Sequence, residues 1–438
     1  ESKSHIIISK TNNSEILLNI SSNAKSNSFN FLKDFNYIKD GISKLEIKII
    51  KKLNSNKWLA EVNANLFANT VELDFIEYIK DKNNRGKMSG FFYFEGLKLK
   101  RIENLELFTE DLLIKSELNF DQDMKLKKVK VNEYISGSNS FSIIVENISS
   151  KEKKIIISGE SLDLKELLNR KKSKIKDLTL LLNINKTYYG KFNLGKLVFE
   201  SKINDNTLIS INGDIFNKNN SYVKFSDKPL DEFDKKQLEF KFDNFGLFMS
   251  NSNISQDFIN GSGIISFNLN SRGFSVQSGF IDLSECSIKN ASSLARLLQL
   301  ASFTGLLEIL TKEGIPFSNI LGKFEIKDDQ IIIEEGKLKG FSLGGTITGT
   351  VSKSNKSLNL EGIIVPAYAI NSLINKIPIL GQVVTGVEGE GLIGVNYKAK
   401  GTIEKPDYTI NPLSILTPGI FRSIFDQFGK EKNKDNTR

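Results

Sequence analysis

Histidine, cysteine and tryptophan are almost missing from this 438-residue chain: each occurs once, as His5, Cys286 and Trp58. A disulfide needs two cysteines, so none can form within the chain. Zinc sites built from His and Cys need three or four ligands, and the two present lie far apart in sequence. Ser-His-Asp or Cys-His chemistry would rest on His5, in a polar segment at the very start. Most hydrolytic and redox chemistry is thereby disfavoured, and the chain reads as a non-enzyme with no metal and no cofactor. Arginine is scarce as well, seven of sixty basic residues. The net charge is +8, yet Lys is scattered among Asp and Glu instead of gathered on one face, so no nucleic-acid partner is expected. A weak preference for anionic membrane surfaces is compatible with it. No uncharged stretch reaches the ~20 residues of a membrane span; Gly362 to Asn375 and Leu297 to Leu307 both fall short. No signal peptide is visible. The first residue is Glu, and the expectation is a partial or processed chain with any anchor upstream of Glu1.

Period two is what the chain has in abundance. Lys44-Leu45-Glu46-Ile47-Lys48-Ile49 alternates charged and apolar residues, and Leu178, Leu180, Leu182 and Ile184 fall on one side of their segment. Leu238-Glu239-Phe240-Lys241-Phe242, Ile265-Ser266-Phe267-Asn268-Leu269 and Lys323-Phe324-Glu325-Ile326-Lys327 repeat the pattern. Alternate residues point to opposite faces of a strand, so each segment has one apolar and one wet face. Asn204-Asp205-Asn206, Asn217 to Asn220 and Asp328-Asp329 punctuate them as hairpin turns. The fold class that follows is mainly β: an elongated, twisted antiparallel sheet or groove of repeats with a few helices, mostly near the C-terminus. Leu73-Asp74-Phe75-Ile76 resembles Leu162-Asp163-Leu164-Lys165 at an offset of 89 residues, with Asp74 and Asp163 expected as helix N-caps.

The character changes near residue 288. Six of the seven prolines lie at or beyond Pro316. Asn290 to Thr311 reads as one amphipathic helix stopped by Gly314-Ile315-Pro316, with others expected over Tyr368 to Asn375 and Ile420 to Phe428. Glu431 to Arg438 is a charged tail.

Phosphate-binding motifs fail on context. Gly389-Glu390-Gly391-Leu392-Ile393-Gly394 matches a dinucleotide fingerprint, but its glycines run into a strand and not a helix. Gly190 to Lys196 has P-loop spacing, with Leu197 where a magnesium-binding Ser or Thr is needed. Gly340-Phe341-Ser342-Leu343-Gly344-Gly345 suits a hairpin or bulge. Cys286 reads as a small buried hydrophobe. Phe91-Phe92-Tyr93-Phe94 suggests a strand apolar on both faces.

The last 150 residues or so resemble the C-terminal region of the AsmA-like superfamily, in the alphaproteobacterial form related to YhdP and TamB. The resemblance is carried by Ala295 to Leu307, Glu313-Gly314-Ile315-Pro316-Phe317, Val365 to Leu373, Ile377 to Gly381, Gly389-Glu390-Gly391 and Asn411 to Gly419. It divides the chain into a β-repeat region (1–159), AsmA-like β-repeats (160–288), a helix-bearing C-terminal region (289–429) and a disordered tail (430–438). What it implies is a periplasmic protein tethered to the inner membrane. Such a protein would carry phospholipid acyl chains along an apolar β-groove toward the outer membrane or an outer-membrane protein. No catalytic residue comes with it. A non-transporting structural or interaction protein supporting outer-membrane assembly is the alternative. If lipid is carried, Leu180, Leu182, Ile209, Ile211, Phe240, Phe242, Phe267, Leu269, Phe324 and Ile326 are expected to share the concave face. Phe421, Ile424, Phe425 and Phe428 form an apolar helix face that either caps the sheet or docks on a membrane or membrane partner.

Overall fold

The computed structural model describes residues 5–10, 15–25, 37–147, 152–165, 177–218, 220–230, 235–272, 274–301, 304–366, 392–393, 395–411 and 415–416. The expected helices over 368–375 and 420–428, and with them Phe421, Ile424, Phe425 and Phe428, lie outside these residues. So do most of the 365–373, 377–381, 389–391 and 411–419 segments that carry the resemblance. Among the described residues no helix is long and apolar enough to cross a membrane.

The chain packs as two compact units, 1–191 with 195–205, and 192–194 with 206–438. Residue 159, where the sequence reading ends its first region, lies inside a strand, and residue 288, where it ends the second, ends one.

In the first unit the strands are β1 (His5–Lys10), β2 (Glu15–Lys25), β3 (Ile42–Lys52), β4 (Lys57–Asn65), β5 (Val71–Leu73), β6 (Tyr78–Lys80) and β7 (Gly86–Glu95). They continue as β8 (Lys98–Thr109), β9 (Leu112–Phe120), β10 (Leu126–Ser136), β11 (Asn139–Asn147), β12 (Glu152–Asp163) and β13 (Asp177–Tyr189). The sheet takes them in the order β1-β2-β3-β4-β7-β8-β9-β10-β11-β12-β13, and β5 pairs with β6 outside it. Every neighbouring pair is antiparallel except β12–β13, which run parallel with Ile155 opposite Leu180. The sheet is thus mainly antiparallel, as the alternation led one to expect, with this one parallel pair. Parallel neighbours need a crossover connection, and residues 164–176 supply its length. Asp74 is not an N-cap: Leu73 holds that position of the 3₁₀ turn Asp74–Ile76.

β14 (Phe192–Asn204) carries the boundary between the units. The second unit holds β15 (Thr207–Asn217), β16 (Asn220–Pro229), β17 (Lys235–Phe242), β18 (Phe258–Asn270), β19 (Val276–Ile288), β20 (Ile315–Lys327) and β21 (Gln330–Gly340). Then come β22 (Leu343–Ser352), β23 (Ser357–Pro366), β24 (Leu392–Ile393), β25 (Val395–Thr402), β26 (Pro406–Asn411) and β27 (Ile415–Leu416). From β15 to β23 each strand pairs antiparallel with the next in sequence; β25 and β26 then follow β23. Its helices are α1 (Phe245–Asn251), α2 (Ser292–Leu300) and α3 (Thr304–Lys312). The single helix expected over 290–311 is thus two. Ala301 closes α2 with its N–H on the Leu297 carbonyl, and α3 opens on Thr304 and Gly305, both weaker helix formers than leucine. Gly314 turns the chain at φ +88° and the next strand begins at Ile315, with Pro316 its second residue, as the stop signal requires.

Candidate functional site: two apolar sheet faces

Residues directly opposite across a ladder share a sheet face, so the registers show which side chains line up. In the first unit Ile8 faces Leu18, and the row passes through Ile49, Ala60, Phe92 and Ile102. It continues through Leu118, Val129, Val145 and Ile155 to Leu180. Eleven strands contribute, and no polar residue interrupts the row. Leu182 belongs to the next row, opposite Ile157. The other face carries ion pairs such as Lys115–Glu133, Lys130–Glu117 and Lys186–Glu160. Phe91 and Tyr93 fall on it too, and the Arg101 guanidinium lies 4.2 Å from the Tyr93 ring centroid.

The second unit repeats the design with glycine gaps. One row runs Gly213, Phe225, Phe240, Ile265, Ile281 and Gly322. It goes on through Gly336, Ile347, Gly362 and Tyr397 to Ile410. The adjacent row holds Leu238, Phe267, Gly279, Phe324 and Ile333. The glycines leave room for rings rooted on neighbouring strands. A Cβ on Gly279 would come 2.3 Å from Phe324 Cζ, and one on Gly362 would come 2.8 Å from the Tyr397 hydroxyl. The Tyr397 hydroxyl crosses Gly362 to donate to the Thr346 carbonyl at 3.1 Å, and burial raises its pKa. Where Gly279 clears the way, Phe324 meets Phe267 at 6.2 Å between centroids. Phe267 meets Phe240 at 6.0 Å, and Phe240 stacks on Phe225 at 5.5 Å.

Six of the expected lining residues therefore share this face: Phe240, Phe242, Phe267, Leu269, Phe324 and Ile326. Ile211 joins by alternation with Gly213. Ile209 departs: it is 44% exposed while Leu208 beside it is 4% exposed. The reason is local. β15 leaves β16 here, and Leu208 N–H donates instead to the Ser271 carbonyl at 2.9 Å. Flat strands this far apart would be separated by roughly 14 Å, so β15 to β18 curl. Lys236, on the apolar side, reaches across to the Ile209 carbonyl at 2.6 Å and ion-pairs with Asp227. Asp227 Oδ1 accepts from Ile211 N–H at 2.7 Å. The apolar face is therefore the inner side of this curl, and a half-buried ion pair closes its end.

Each face is covered over part of its extent. In the second unit Leu298, Leu306 and Leu310 of α2 and α3 close over Ile364, Val395 and Tyr397. Away from the helices Phe225, Phe240, Ile265, Phe267, Ile281 and Phe324 stay partly exposed. In the first unit the cover is a cap of Ile38, β5, the 3₁₀ turn and β6, which buries its own Val71 and Leu73 together with Leu66. Polar contacts pin its rim. Tyr78 donates to Asp111 at 2.6 Å, Asn69 Nδ2 donates to the Asp40 carbonyl at 2.8 Å, and Lys80 Nζ donates to the Asn69 carbonyl at 2.8 Å. Burial pushes the Lys80 pKa down and the Tyr78 pKa up.

Between cap and sheet lies a cavity of about 530 Å³. Val131, Ile143 and Ile157 form its floor, with Tyr134 stacked on Phe141 at 4.7 Å. Its polar members are few: Ser116, Asn139, Asp163 and the tyrosine hydroxyls. Asp163 N–H donates to Asn139 Oδ1 at 2.8 Å, and Asp163 Oδ1 accepts from Lys165 N–H and Gly190 N–H at 2.9 and 3.0 Å. Sequence reasoning placed the lining only from residue 180 onward and missed this cavity. The alternation of Val129, Val131 and of Ile143, Val145 was the available signal; the covering segment at 66–80 has none. Gly190 and Lys191 form a turn, and the rest of the 190–196 segment lies in β14, so no helix follows it. Cys286 is fully buried, and burial pushes its thiol pKa up to about 11.

Comparison with family models, curated proteins and solved structures returns no match for this chain.

Proposed function

We propose that the chain is a lipid-binding, bridge-like transfer protein of the bacterial envelope, carrying phospholipid acyl chains on its apolar sheet faces between inner and outer membrane. The observation that supports this reading is the combination of unbroken apolar rows with large side chains left partly exposed. An ordinary core would bury Phe240, Phe267, Ile281 and Phe324, since covering each large apolar side chain is worth roughly 1.5–3 kcal/mol. A lipid chain can supply that cover. The resemblance of 295–317 to AsmA-like proteins supports a periplasmic setting. The second reading, a non-transporting envelope scaffold, draws on α2, α3 and the cap, which close parts of both faces as a core would.

Replacing Phe240 and Phe267 together by Asp separates the two readings. A charge in an apolar groove is costly to cover with hydrocarbon but can stay hydrated in an open face. The expected outcome is a chain with unchanged circular dichroism that no longer moves labelled phospholipid between vesicles. Loss of transfer only through unfolding favours the scaffold.

A further inference from the structure

The capped cavity of the first unit differs from the open faces in having a built polar end. On β10 its lining runs from Leu126 to Tyr134, a length of roughly 25 Å along the strand. Spread over that length, 530 Å³ leaves a slot of about 20 Å² in section. With van der Waals contact near 4 Å around each carbon, that section admits about one hydrocarbon chain. At the end beyond Tyr134 stand Asn139 and Asp163, 4% and 6% exposed. Asp163 Oδ1 is engaged by two backbone N–H groups, while Oδ2 makes no hydrogen bond among the described residues. None of the described residues lining the cavity is Lys or Arg.

We propose that this cavity binds a single-chain amphiphile, its tail along Val131, Ile143 and Ile157 and its head, a cationic or neutral hydrogen-bond donor such as an amine or hydroxyl, at Asp163 Oδ2. The proposal rests on the reading that the apolar face of this unit takes lipid chains, and it adds the number of chains and the chemistry of the head. An ammonium gains a charge-assisted hydrogen bond there. A carboxylate head meets a like charge with no Lys or Arg among the described lining residues to offset it, and so is selected against.

Isothermal titration of the full chain with dodecylamine, dodecanol and dodecanoate, each below its micelle concentration, tests this. The amine is expected to bind about tenfold or more tighter than dodecanoate, with the alcohol between. Asp163→Asn keeps an oxygen for the backbone donors and should shrink the spread to about threefold or less. Ile143→Asp should weaken all three. If Asp163→Asn does not fold, the order of the three heads on the unaltered chain decides. Equal binding, or a preference for dodecanoate, overturns the head assignment. Failure of all three to bind while phospholipid transfer persists overturns the cavity proposal alone; failure of both removes the reading beneath it.

Discussion

Glycine reads in the sequence as punctuation, and in the second unit it also works as empty space. Gly279, Gly322, Gly336 and Gly362 sit inside strands, where an isolated Gly signals close backbone approach. What a sequence cannot state is which ring enters the gap, because the partner is set by register. At Gly362 the tolerance is smallest: an added Cβ would lie 1.9 Å from the Thr346 carbonyl oxygen, a backbone atom that cannot swing aside. Gly362→Ala is expected to cost about 1–3 kcal/mol in urea unfolding, the usual range for overpacking, and an unchanged midpoint would count against the packing described. Cys286 gives a second residue-level test. Burial and a thiol pKa near 11 make it unreactive. A thiol reagent at pH 8 should leave it unlabelled in the native chain and label it fully in denaturant; rapid native labelling would contradict its burial.

At the scale of elements, the strands were largely legible and their covers were not. Alternation in Leu45-Glu46-Ile47-Lys48 locates β3 and its inward face, because the side-chain period is two. The cap has no such period: Val71-Glu72-Leu73 and Tyr78-Ile79-Lys80 are too short to read as strands, and tertiary contacts hold them. The parallel β12–β13 pair was likewise invisible, since alternation carries no direction. The cap's rim yields a pH dependence. Hydrogen bonding from Lys82 and Thr70 lowers the Asp40 pKa from 3.8 to about 2. A carboxylate with a depressed folded-state pKa contributes fully above the unfolded value, and the contribution fades as pH falls from about 4 toward 2. Amide exchange over residues 66–80 should therefore quicken on acidification through that window. Asp40→Asn should show the faster exchange already at pH 5 and lose most of the pH step. A cap whose exchange ignores both changes would remove Asp40 from its anchoring.

For the molecule as a whole, each unit repeats one arrangement: a ladder of mainly antiparallel strands, a Lys- and Glu-bearing face toward water, and an apolar face that is covered in part. The composition foreshadows it, with 31 Phe against 1 Trp and Lys spread along the full length. The alternating segments gave away the existence of the apolar faces. Which side curls inward depended on the Leu208–Ser271 and Lys236–Ile209 contacts, which join residues far apart in sequence. The central claim is that hydrocarbon chains occupy these faces, and native mass spectrometry of the chain after gentle purification tests it most directly. The account predicts phospholipid-sized adducts that survive transfer to the gas phase and are absent from the Phe240→Asp, Phe267→Asp variant. A chain that stays free of lipid, even after incubation with phospholipid vesicles, would contradict it.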